Sequence, residues 1–265
     1  MKFHKLSALL LALGTAGAAQ AALTAGDIAI IGRINNGAID SFAFVALSNI
    51  SAGEVVYFTD NGWTGTAFRG SSATDGDGNE NLTKWTAASN VAAGTIVLST
   101  NASFTTDGVT GGITGATAGS YAPLALSTAG DQITAFQNSN PSNPLFNTAT
   151  QTALYTLDDT NGFEVATSAS TGGVVPGLTA GSTAVTLNYP VGGTIAINAS
   201  VLAGPAKSKA EWLSAFANAS NWSPTSAGLP TGSIAMTAVP EPSSHAIALA
   251  GLAVAGLVAR RRKAA

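Results

Sequence analysis

The chain has 265 residues, no cysteine, 30 glycines and 10 prolines, and only 9% of its side chains are charged while 46% are hydrophobic. That balance is too apolar for a disordered polymer and too sparsely charged for an average cytosolic enzyme. Without cysteine, disulfide scaffolds, thiol nucleophiles and cysteine-bound zinc are excluded.

The chain opens on Met1-Lys2-Phe3-His4-Lys5, followed by an apolar stretch from Leu6 to Ala18 and then Ala19-Gln20-Ala21. A basic start, a short hydrophobic region and an A-x-A site marked by Ala19 and Ala21 predict a secretory signal over 1–21 that signal peptidase removes.

Short β-branched runs follow over 22–238, bounded by Gly, Asn, Asp and Ser. Strands are predicted at Asp27–Ile31, Ser41–Leu47, Val55–Thr59, Thr95–Ser99, Gln132–Phe136, Ala153–Leu157, Ala184–Leu187 and Thr194–Asn198. Asn36-Gly37, Asn61-Gly62 and Asn161-Gly162 supply turn chemistry between them. Many short strands without helical periodicity predict an all-β, antiparallel sandwich. In Val55-Val56-Tyr57-Phe58-Thr59 neither parity is wholly polar, which predicts a strand covered on both faces.

One helix is expected near 208–218. Ser208 and Glu211 have capping-box spacing, and Trp212, Leu213 and Phe216 form one apolar stripe before Asn218.

Candidate chemistry is sparse. Both histidines, His4 and His245, lie outside the body, so it can build neither a Ser-His-Asp triad nor a histidine-bound metal site. Two carboxylates flanking a glycosidic bond remain available in principle. Yet the acids sit singly beside turn residues, and Asp158-Asp159 precedes Thr160-Asn161-Gly162 as a turn would. Asp75, Asp77 and Asn79 alternate with Gly76 and Gly78 like the start of an EF-hand loop. The sixth position is Glu80 and the twelfth Thr86, so the loop departs from that motif and could hold at most a weak calcium ion. No other cofactor is expected. Trp63 and Trp85 could stack on sugar rings if exposed together, the alternative being core packing.

At the end of the chain, Val239-Pro240-Glu241-Pro242 precedes an uncharged run from Ala246 to Ala259 and then Arg260, Arg261, Arg262 and Lys263. The run predicts a hydrophobic helix serving as a transient membrane anchor, its basic end retained in the cytoplasm. Between the two ends, five basic residues face thirteen acids, a net charge of −8. That sign repels phosphate backbones and argues against nucleic acid as a partner.

These parts, in this order over 239–265, resemble the PEP-CTERM sorting signal of Gram-negative bacteria. The resemblance implies recognition of Pro240, Glu241 and Pro242 by exosortase, a membrane protease-transpeptidase, and export to the outer surface or extracellular matrix. Residues 25–189 also resemble the lamin-tail-like, immunoglobulin-type β-sandwich modules of secreted proteins. The resemblance is carried by Ala25-Gly26-Asp27-Ile28-Ala29, Phe42-Ala43-Phe44-Val45, Tyr57-Phe58-Thr59-Asp60-Asn61-Gly62-Trp63 and Ser127-Thr128-Ala129-Gly130-Asp131-Gln132-Ile133. Together they lead to the expectation of a non-enzymatic cell-surface protein associated with exopolysaccharide in a biofilm, or alternatively a carbohydrate-binding module.

Overall fold

The computed structural model describes residues 22–36, 40–69, 81–100, 103–105, 108–113, 123–160, 162–164, 171–189 and 192–237. The signal region, the acidic loop at Asp75, Asp77 and Asn79, and the whole tail from Ala238 lie outside them.

Among the described residues, twelve strands form two six-stranded sheets. In chain order they are β1 (Ile28–Asn35), β2 (Asp40–Ala46), β3 (Val55–Thr59), β4 (Leu82–Ala87), β5 (Ile96–Thr100), β6 (Ser103–Thr105), β7 (Gly108–Ile113), β8 (Gln132–Asn138), β9 (Gln151–Asp158), β10 (Ala184–Thr186), β11 (Gly193–Ile197) and β12 (Trp222–Pro224). The first sheet runs β12-β11-β1-β2-β5-β6 and the second β10-β9-β8-β3-β4-β7. All eight strands expected from the sequence are present, within a few residues of the expected bounds. The expectation of an antiparallel sandwich needs one correction. β10 runs parallel to β9, with Ala184 opposite Thr156, because the long connection over 159–183 brings the chain back along β9 before it pairs, which a tight hairpin cannot do.

Aromatic residues join the sheets. Phe42 and Phe44 of β2 meet Phe58 of β3 at ring-centroid distances of 4.7 and 5.1 Å, and Trp85 of β4 stands edge-on to Phe44 at 5.1 Å. The opposite parity of β3 does face outward, but not into water. Tyr57 stacks on Phe136 of β8, and Phe68, Trp63, Leu145 and Val175 close over them as a second hydrophobic cluster. This explains why β3 reads as apolar on both faces.

Two helices complete the described body: α1 (Ala199–Leu202) and α2 (Lys209–Ala217). The capping box of α2 is complete, since Ser208 Oγ accepts from Glu211 N at 3.3 Å and Glu211 Oε2 accepts from Ser208 N at 2.7 Å. Trp212, Leu213 and Phe216 of α2 are buried in the main core against β1 and β10. Gly26 permits this approach. Its φ of +82° suits glycine, and a Cβ there would meet Leu213 Cδ1 at 2.8 Å.

Candidate functional site

The body buries several charged side chains. Arg33, the one charged residue of a largely apolar β1, is 2% exposed and forms an ion pair with Asp159 just after β9. Its remaining N–H groups reach Asn35 Oδ1, Gly193 O at 2.8 Å and Tyr189 O at 3.1 Å. Asp159 Oδ1 accepts in turn from Asp131 N at 2.5 Å. Burial pushes the Asp159 carboxyl upward, and the Arg33 charge opposes it. Asp60 accepts from Asn81 N at 2.8 Å and Ala125 N at 2.7 Å, yet burial still raises its pKa to about 6. Asp158 accepts from Thr160 N at 2.8 Å, as the turn reading of that pair required, and burial raises it too. Each of these four acids, Asp60, Asp131, Asp158 and Asp159, is at most 6% exposed. Asp60, Asp131 and Asp158 accept from backbone N–H groups of the neighbouring loops, and Asp159 joins the two sheets through Arg33. The ion pair was missed in the sequence, although an arginine inside an apolar strand already calls for a carboxylate.

Sugar stacking fails on burial. Trp85 is fully enclosed between the sheets, and Trp63 is 6% exposed beneath its own loop, edge-on to Phe68 at 5.2 Å. The two rings lie in different clusters, on opposite faces of the second sheet. They are core residues and do not form a binding platform. Among the described residues no three His, Cys, Asp or Glu side chains gather as metal ligands. A groove of about 440 Å³ opens beside α1, lined by residues such as Ile96, Asn198, Leu202, Ser223 and Leu229, and holds no titratable group.

At the end of the described body the chain is tied down residue by residue. Gly232 O accepts from Ile96 N at 2.9 Å, and Ile234 N donates to Gly94 O at 2.8 Å. Ala235 O accepts from Lys207 N and from the Trp212 indole Nε1, both at 3.1 Å. Thr237 N then donates to Lys207 O at 2.9 Å. Ile234 is buried, and Lys207 Nζ sits 4.2 Å from the centre of the Trp212 ring.

The tail begins directly after this tie. Comparison with protein families matches residues 238–263 to a protein-sorting motif, and it spans the Pro240-Glu241-Pro242 tripeptide, the apolar run and Arg260, Arg261 and Arg262. Residues 238–263 are a PEP-CTERM protein-sorting motif. A PEP-CTERM motif marks a chain as exported and processed by exosortase in a Gram-negative bacterium. No curated protein and no solved structure matches the chain. No helix among the described residues is long and apolar enough to cross a membrane, and the apolar run at 246–259 lies outside them.

Proposed function

We propose that this is a non-enzymatic structural or adhesive protein of the cell exterior, processed at Pro240-Glu241-Pro242 and delivered to the outer surface or its polysaccharide matrix. The observation that carries the reading is the PEP-CTERM motif following directly on a folded, histidine-free β-sandwich. The burial of Asp60, Asp131, Asp158 and Asp159 supports it further, since general acid–base work needs groups within reach of a substrate proton. A lasting role outside the cell also suits the net charge of −8 on residues 22–239, which favours solubility over adsorption to anionic polymers. Contact with a polysaccharide matrix would then rest on hydroxyl and amide groups, which the Ser-, Thr- and Asn-rich loops supply in number.

The test is replacement of Pro240, Glu241 and Pro242 by alanine in the full-length chain. Wild type is expected in the outer-surface or matrix fraction at the mass of a chain lacking its tail. The variant is expected in the inner membrane, heavier by the tail. Equal masses and equal fractionation would overturn exosortase processing. Normal processing followed by release into the medium, with no retention by the matrix, would overturn only the matrix assignment.

A further inference from the structure

We propose that Gly232–Thr237 is a strap that restrains processing, so that exosortase cuts only after Ala235–Thr237 have come away from the folded body. This rests on the processing reading above and adds to it a dependence on the fold.

Distance is the first consideration. Thr237 makes its backbone hydrogen bond to Lys207 only three residues before Pro240. Three extended residues reach about 10 Å at most. A body of this length has a radius of gyration of roughly 17 Å. With the strap in place, the stretch of chain between the tie and the tripeptide is shorter than that radius. Enzymes that grip a peptide as an added strand need several residues of bare backbone, and only Ala238 and Val239 separate the tie from the motif.

The strength of the tie is the second. Beyond buried Ile234, the strap is held by Lys207 N to Ala235 O and Trp212 Nε1 to Ala235 O, both at 3.1 Å, and by Thr237 N to Lys207 O at 2.9 Å. A hydrogen bond of this kind shifts an open–closed equilibrium by roughly two- to tenfold. Three of them hold the end closed most of the time while leaving it able to open, and opening roughly doubles the reach of the motif.

The third is that the fold is shaped to receive the strap. Gly94 has φ +95°, and a Cβ on it would stand 2.4 Å from Ile234 O. The turn feeding β5 therefore places bare backbone where the strap crosses. All its partners, Gly94, Ile96, Lys207 and Trp212, belong to the folded body, so the strap forms only once the sandwich and α2 have assembled.

Pulse-chase processing of the full-length chain in its own host tests the proposal. A six-residue Gly-Ser insertion between Thr237 and Ala238 leaves the body untouched and lengthens the reach. It should raise the processing rate at least threefold over wild type. Trp212→Phe, which keeps an aromatic ring and removes the indole N–H, should raise it about twofold. The triple-alanine tripeptide variant is the unprocessed control. Processing of the insertion variant at or below the wild-type rate overturns the strap while leaving the sorting assignment intact. If neither wild type nor insertion variant is processed, the sorting assignment itself fails, and the role of the strap with it.

Discussion

Arg33 is the residue on which the two sheets depend most directly. It leaves β1 of the first sheet to meet Asp159 just after β9 in the second, and both are all but excluded from water. Removing one partner of such a pair strands a charge, which costs about 3–5 kcal/mol. Arg33→Met should therefore lower the unfolding free energy by about that amount in urea melts. Adding Asp159→Leu should recover part of it, limited by the loss of the acceptor for Asp131 N. A single variant as stable as wild type would show that the pair does not clamp the sheets.

Asp60 gives the body a pH dependence of definite sign. Its carboxyl is pushed from an ordinary 3.8 up to about 6 by burial, despite two backbone N–H donors. A carboxyl raised on folding binds its proton more tightly in the native state, so stability falls as pH rises between those two values. The gap corresponds to about 3 kcal/mol. Burial raises Asp158 and Asp159 as well, and they act in the same direction. Asp27 acts oppositely: burial pushes it up, but Lys209, Ser48 and Thr24 outweigh that and hold it low, so its contribution is lost only below pH 3.8. The melting temperature should thus be several degrees higher at pH 5 than at pH 7.5. Asp60→Asn, which cannot ionise, should flatten the difference. A melt that is flat with pH in wild type would refute the assignment.

At the scale of elements, α2 shows local and tertiary signals in agreement. Its Ser208–Glu211 box satisfies orphan amides at the first turn, and its apolar stripe is buried where Gly26 leaves room. Ser208→Ala should cost about 1 kcal/mol, the usual worth of an N-cap. Trp212→Ala should cost about 3–5 kcal/mol, since a fully buried indole leaves a cavity behind. Chemical denaturation of the two variants checks the order. Equal losses would mean that α2 is held by its cap and not by its buried face.

For the whole molecule, calcium binding would centre on the acidic loop of Asp75, Asp77 and Asn79, which lies outside the described residues. An extracellular calcium module of this kind has a dissociation constant of about 10⁻⁴ to 10⁻³ M. Several millimolar calcium should then stabilise the chain by about 1 kcal/mol and raise its melting temperature by a few degrees. Magnesium, which sheds water reluctantly, should do much less. The rise should vanish in Asp75→Asn/Asp77→Asn. Identical melts in calcium and in chelator would return the loop to the role of a solvated turn.

Much of this protein was legible in its sequence because the signals are local. Strand periodicity located Val55–Thr59 to the residue, and a capping box located α2. The tail motif is read as linear sequence, so Pro240-Glu241-Pro242 and the arginine cluster needed no fold to be recognised. What stayed hidden depends on partners far apart in the chain. β4 escaped notice because Leu82–Ala87 mixes polar and apolar residues, and its place is decided by pairing with β3, Val56 opposite Trp85. The three-residue β6 and β12 and the glycine-rich β7 carry too little pattern to stand out, and the parallel β10 follows from the route of a loop. Composition could not say whether Trp63 and Trp85 face solvent, whereas the second sheet buries one on each side. Nor could it pair Arg33 with Asp159, which lie 126 residues apart and meet only because the sandwich closes over them. Local chemistry determined where this chain goes and most of its strands. Closure of the sheets decided which of its charges and aromatics are structural, and how tightly the end of the body is held before the sorting motif begins.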